Sequence, residues 1–271
     1  SHLVSVAREM GVTLRQTAYS NIFNEGSDFS CGLFDNTGRL WAQGEFLPIH
    51  LGALQFAVRE AIEEVGTASL EEGDAVLLND PYRGGTHLPD LTAITPIFVG
   101  GEIVAFAANR AHHADVGGTV AGSFYSEATE NFQEGLRIPP VRFVRRGTID
   151  PDLMEIVLNN VRVPRDMRGD LEAQISSNRT AVARTVALCE RYGLDTVRAA
   201  ATEICRQSER RMRAIISSWP DGSWSAEDFL DNDGIDPSPI PVRVTATVAG
   251  DRLTLDFSET APQVAGPVNS V

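Results

Sequence analysis

The sequence predicts a mixed α/β (α+β) fold, with β-hairpins and short sheets and two long helices in its second half. Three observations predict it. Hairpin patterns stand near both ends of the chain, at residues 29–41 and 242–257. The stretch from Pro164 to Pro220 has no internal proline and repeats its apolar residues at helical spacing. Two long Gly-rich polar segments each follow a run that reads as a strand.

The elements follow in chain order. Val4, Ala7, Met10 and Leu14 fall at helical spacing, so a helix is expected from Leu3 to about Ser20. Phe29-Ser-Cys-Gly-Leu-Phe34 and Leu40-Trp41 read as hairpin arms around the turn Asp35-Asn-Thr-Gly38. A second helix is expected from about Leu51 to Val65, then a short buried strand at Ala75-Val-Leu-Leu78. Two strands, 93–99 and 102–109, are joined by Gly100-Gly101, and a helix is expected near Pro151–Asn160. The long helical stretch breaks near Gly193. Val242-Arg-Val-Thr-Ala-Thr-Val248 alternates, and a turn at Gly250-Asp251 returns the chain through Leu253-Thr-Leu-Asp-Phe257. Residues 1–163 are expected to form an α/β region, and 164–271 a helical segment followed by a β-hairpin. Gly266-Pro-Val-Asn-Ser-Val271 reads as mid-loop, so the chain is expected to continue past it.

The formal charge of −14 argues against nucleic acid or an anionic membrane as partner, because both reward a basic surface. No apolar run approaches the roughly 18 residues that span a bilayer. Three cysteines, Cys31, Cys189 and Cys205, with no C-x-x-C, suit neither a disulfide framework nor a cysteine-built zinc site. A reducing, cytoplasmic setting fits. No nucleotide-binding glycine motif and no G-x-S-x-G elbow occurs. Cys31 lies within an apolar strand and is expected to be core.

The polar segments are where chemistry is expected. Asn79-Asp-Pro-Tyr-Arg-Gly-Gly-Thr-His-Leu-Pro-Asp90 and Asn109-Arg-Ala-His-His-Ala-Asp-Val-Gly-Gly-Thr119 hold three of the five histidines. Each contains H-x-x-D, His87 with Asp90 and His112 with Asp115, and each contains Gly-Gly-Thr. Two imidazoles and two carboxylates converging from loops at strand ends suit Zn, Mn or Fe(II). The competing reading is a pair of Gly-rich turns with solvated histidines. Asp28 is either a ligand or a turn cap, and His50 either caps the next helix or faces a pocket.

These residues carry a resemblance. Asp28-Phe-Ser-Cys-Gly-Leu-Phe-Asp35, Pro48-Ile-His-Leu-Gly52, the 79–90 segment, His112-His-Ala-Asp-Val-Gly-Gly118, the run 128–140, Arg168-Gly-Asp-Leu-Glu-Ala-Gln174 and Gly266-Pro-Val-Asn269 resemble, in order, the hydantoinase B/oxoprolinase family. Asn24-Glu-Gly-Ser27 is less basic than that pattern. The resemblance implies a subunit of an ATP-dependent cyclic-amide hydrolase acting on hydantoins, 5-oxoproline or lactams. A hydantoinase A-like partner would use ATP to phosphorylate the substrate carbonyl, in a hetero-oligomer. It implies Asp28, His87, Asp90 and His112 as ligands of a divalent metal, zinc or else Mn or Fe, with His113 as rival for the last place. Asp115 is then a candidate base or an orienting carboxylate, and His113 and Glu134 are further catalytic candidates. His50 and Arg137 are candidates for substrate contact; for Glu134 and Arg137 the competing role is a buried ion pair. Two alternatives remain: a subunit of an ATP-dependent ketone carboxylase, or a non-catalytic scaffold for the ATP-using subunit.

Overall fold

The computed structural model describes residues 2–44 and 46–269. Helix α1 (His2–Thr17) buries Leu3, Val6, Met10 and Leu14 along one stripe. The short helix α2 (Asn21–Asn24) leads into the hairpin β1 (Phe29–Asp35) and β2 (Leu40–Gln43). Helix α3 (Pro48–Val65) starts with proline in its first turn, where the missing N–H costs nothing. Strands β3 (Ala75–Leu78), β4 (Asp90–Val99) and β5 (Glu102–His112) follow, then α4 (Asn131–Glu134), β6 (Val141–Arg145), β7 (Thr148–Ile149) and α5 (Pro151–Asn159). Helices α6 (Pro164–Tyr192) and α7 (Leu194–Ile216) break at Gly193, whose φ of 82° favours glycine. Strands β8 (Gly222–Leu230), β9 (Ile240–Ala249) and β10 (Arg252–Asp256) complete the chain. The mixed architecture expected from the sequence, including both hairpins and the two long helices, is present.

The chain forms two compact units: residues 2–124 with 134–201, and 125–133 with 202–269. In the first, seven antiparallel strands form a sheet in the order β2-β1-β5-β4-β3-β6-β7. Successive side chains on a strand point to opposite faces. Phe29, Cys31, Leu33, Ala105, Ala107 and Ala111 pack with α1 and α6, while Leu91 and Ala93 pack with α5 and α6. Phe34, Ile94, Phe106 and Ala108 face the other way and pack with Leu54, Ala57 and Val58 of α3. The sheet is thus covered on both faces, and its central strands read as continuous apolar runs for that reason. Cys31 lies in this core with its thiol pushed up to about 12 by burial.

Helix α6 carries a buried polar stripe. Gln174 donates to the Leu91 carbonyl and the Asn109 side chain, and Asn178 donates to the Ala93 carbonyl and Thr95. Asn109 in turn donates to the Gln174 carbonyl and the Asn178 side chain. This network answers every amide it buries, as a low-dielectric interior demands.

In the second unit, β8, β9 and β10 form an antiparallel sheet. One face carries the hydroxyl pairs Ser223–Thr247 and Ser225–Thr245 and the Arg243–Glu227 ion pair. The opposite face carries Trp224, Leu253 and Leu255, all exposed. Strand β8 was not expected from the sequence: Ser223, Ser225, Glu227 and Asp228 give it little strand character, and pairing along β9 supplies what composition does not.

Among the described residues no helix is long and apolar enough to cross a membrane.

Candidate functional site

The site forms where β1 and β4 begin and β5 ends, on the face toward α3. Strand register puts Asp90 opposite His112 and Thr92 opposite Arg110. These even-numbered residues share the face of Ile94, Phe106 and Ala108. Asp28 precedes β1, and its carbonyl accepts the His112 backbone N–H at 3.0 Å. His50 enters from the first turn of α3. His87 arrives on the 79–90 loop, which folds tightly on itself. A Cβ on Gly85 would come within 2.1 Å of the Asn79 carbonyl oxygen. Asn79 clamps the loop by donating to the Leu88 and Leu136 carbonyls and accepting the Ile138 N–H.

Five polar groups therefore meet. His112 Nδ1 lies 2.8 Å from Asp90 Oδ1, and His50 Nδ1 lies 3.5 Å from Asp90 Oδ2. His50 Nε2 lies 2.9 Å from Asp28 Oδ1. The His87 and His112 rings stack at 5.3 Å, and the edge of His87 meets Phe124 at 5.6 Å. Among the described residues His87 Nε2 is buried without a hydrogen-bond partner. Asp28 is the open carboxylate, with 34% of its side chain exposed against 9% for Asp90.

The charges follow from this packing. Burial would raise the Asp90 carboxyl, but the His112 hydrogen bond and the charges of His50, His112 and His87 hold it below the usual carboxylate value. Burial would lower His112, yet the Asp90 hydrogen bond and the Asp90 and Asp28 charges carry it above the ordinary imidazole value. His87 has no such hydrogen bond, and burial pushes it down, toward the neutral form a metal takes.

The other sequence-nominated residues stand apart from this cluster. His113 is next to His112, so the pleat sends it to the opposite face. There its Nε2 lies 2.9 Å from Gln174 Oε1, and its ring meets Phe23 edge-on. Asp115 is held within its own loop. Its oxygens accept the backbone N–H groups of Gly117, Gly122 and Arg162 and the Arg162 guanidinium. Arg137 Nε lies 3.6 Å from Asp80 Oδ2. Glu134 closes α4, and burial raises its carboxyl. Two contributors escaped the sequence reading. Gln174 lies unmarked within the 168–174 run, and Arg110 lies between Asn109 and Ala111. A charge at an even position of β5, on the parity of His112, is the signal that would have singled out Arg110.

The bonds to Asp115 make it a stability determinant. Burial would raise its carboxyl, but the backbone N–H groups of Arg162, Gly117 and Gly122, with the Arg162 side chain, hold it below the ordinary value. A depressed native value stabilises fully above the unfolded value of about 3.9, and that contribution is lost as pH falls through the native one. Asp115→Asn should therefore cost about 2–3 kcal/mol at neutral pH and remove part of the acid dependence. Urea unfolding at pH 7 and pH 3 checks this; equal stability of variant and parent at pH 7 would contradict it.

A family model described as Hydantoinase B/oxoprolinase matches residues 1–271. The chain belongs to the hydantoinase B/oxoprolinase family. It is 37% identical over 268 residues to an uncharacterized protein of Methanocaldococcus jannaschii, a match covering 98% of this chain and 47% of that one. It is 34% identical over 268 residues to the caprolactamase subunit beta of Pseudomonas jessenii, covering 99% of this chain and 46% of the relative. The crystal structure of the ATP-dependent caprolactamase from Pseudomonas jessenii superimposes with a TM-score of 0.91, over 98% of this chain and 45% of that one. The chain spans about half the length of the curated relatives it matches.

The family resemblance implies a divalent metal. Among the described residues no group of three or more His, Cys, Asp or Glu side chains stands ready around a metal position. The carboxylates are engaged with His50 and His112 instead. The donor chemistry nevertheless fits: imidazoles and carboxylates meet, and His87 Nε2 is an orphaned buried nitrogen.

Proposed function

We propose that this chain is the catalytic, B-type part of an ATP-dependent cyclic-amide hydrolase opening a hydantoin, 5-oxoproline or lactam ring. The observation that carries the reading is the meeting of Asp28, His50, His87, Asp90 and His112 at one end of the inner strands β1, β5 and β4, in a chain 34% identical to a caprolactamase subunit. The proposed metal ligands are Asp28, His87, Asp90 and His112. A divalent ion there would lower the pKa of a bound water and polarise the substrate oxygen. The residues do the rest. Asp90 bonds His112 Nδ1 in the structure, an interaction it would give up on holding the same ion. His50 ties the two carboxylates together, with one nitrogen on each. His50 Nε2, 2.9 Å from Asp28 Oδ1, would hold or pass a proton beside the exposed carboxylate of the site. The neutral state of His87 keeps protons from competing for its nitrogen.

ATP is assigned to a hydantoinase A-like partner in a hetero-oligomer. That partner would phosphorylate the carbonyl oxygen, which makes the carbonyl carbon a better target for water; the ring C–N bond then breaks with the amine departing, and phosphate is released when the resulting acyl phosphate is hydrolysed. A cytoplasmic location goes with that supply of ATP. The chain alone should show no steady ATP turnover, and the complex with the partner should release ring-opened product. The test is turnover by the complex on a panel of lactams, hydantoins and ketones, with and without bicarbonate. Product from a lactam or hydantoin without bicarbonate is expected; turnover confined to ketones with bicarbonate would replace hydrolase by carboxylase.

A further inference from the structure

Arg110 sits near the end of β5 and is fully buried. Taking a guanidinium out of water costs several kcal/mol unless its N–H groups and charge are answered. Its three hydrogen bonds all go to neutral oxygens. Nε donates to Thr92 Oγ1 at 2.7 Å, one terminal nitrogen to Thr86 Oγ1 at 3.2 Å, and the other to the Gly84 carbonyl at 2.8 Å. Burial pushes the group down to about 10, with the charge of Asp90 opposing. Packing alone gives weak reason for such a residue, since an apolar side chain of similar volume often serves a core as well.

The partners suggest the reason. Gly84 and Thr86 stand just before His87, and Thr92 stands two residues after Asp90. One rigid planar fork therefore grips both ends of the segment that presents His87 and Asp90. On its other side the same segment lies against α3, where a Cβ on Gly84 would come within 2.8 Å of Ala57 Cα. With a φ of 88°, Gly84 also adopts a backbone that other residues avoid. The loop is wedged between α3 and the guanidinium.

We infer that Arg110 is a positioning residue, which sets His87 and Asp90 against His112 by bonding Gly84, Thr86 and Thr92. Its bearing on metal rests on the ligand reading given under the proposed function. Its bearing on loop geometry does not.

The test uses the full chain, Co2+ as the metal probe, and amide hydrogen exchange. Arg110→Met retains most of the length and removes the fork. Amides of residues 84–91 should exchange at least about tenfold faster, while α6 amides stay as in the parent. Co2+ affinity should fall about 10–100-fold, the usual cost of removing a group that orients ligands. Arg110→Lys should not restore it, because an ammonium cannot reproduce the fork. A purely structural role would instead speed exchange evenly across the unit. Even loosening, or parental exchange and Co2+ affinity in Arg110→Met, overturns the inference. If the parent binds no Co2+ but the loop alone loosens, positioning stands and the metal reading falls. Should Arg110→Met not fold, Thr86→Val removes one acceptor and leaves Arg110 in place. It should show the same local loosening, and unchanged exchange there overturns the inference equally.

Discussion

Replacing His87 with alanine is expected to remove bound divalent metal and turnover together. Its Nε2 is buried without a hydrogen-bond partner among the described residues, which suits it to a metal. The loss leaves the two carboxylates and His112, a harder donor set with a weaker hold on zinc. A metal that polarises substrate and activates water supplies several kcal/mol of transition-state stabilisation, so turnover should fall roughly a thousandfold or more. The fold should survive at a cost of about 1 kcal/mol, since His87 lies on a loop and its missing nitrogen strands no partner. Elemental analysis beside product formation by parent and variant complexes decides the matter. An active, metal-free parent would sink the mechanism, and a variant with both metal and full turnover would sink the assignment of His87. The same site should lose metal as the solution is acidified. His112 is raised above its ordinary value by Asp90, so protons compete for it already above about pH 6.5. Co2+ should bind more weakly at pH 6 than at pH 8.

The largest stability effect is expected at Gln174. Its amide is fully buried and serves three partners: His113 Nε2, the Leu91 carbonyl and Asn109 Oδ1. Gln174→Leu keeps the bulk and leaves all three without that bond, in a place water cannot reach. At about 1–3 kcal/mol for each buried group left unpaired, partly relaxed, the cost should be about 3–5 kcal/mol. That is a large share of a typical stability of about 5–15 kcal/mol. Chemical unfolding of Gln174→Leu, Asn178→Leu and the double variant measures it. Strong non-additivity is expected, because the two side chains share Asn109. A Gln174→Leu chain as stable as its parent would show that the network contributes little.

Much of this molecule was legible from residue order. The turn Asp35-Asn-Thr-Gly38 marked the first hairpin, and Asp35 does hold it by accepting the N–H groups of Thr37 and Arg39. Gly193 marked the break between α6 and α7 because a positive φ is cheap only for glycine. The paired H-x-x-D segments drew attention to His87, Asp90 and His112, which do meet. Strands β6 and β8 were less legible: charged and hydroxyl side chains dilute their pattern, and neighbouring strands complete them.

Local chemistry settles what a segment prefers, and so the sequence by itself determined the element types, the acidic balance and the loops rich in histidine and aspartate. Which of those side chains meet is a property of long-range pairing. The two H-x-x-D copies look equivalent in sequence, yet Asp90 faces His112 across a strand pair while Asp115 is consumed by Arg162 and two glycine amides. His112 and His113 are adjacent letters, and only the pleat and the register of β5 between β1 and β4 send one toward α3 and the other to Gln174. Arg110 joins the site for the same reason, and His50 because α3 lies over that face. A strand's neighbours, and the helix laid over it, are chosen by burial across the whole sheet, and no window of sequence contains that choice.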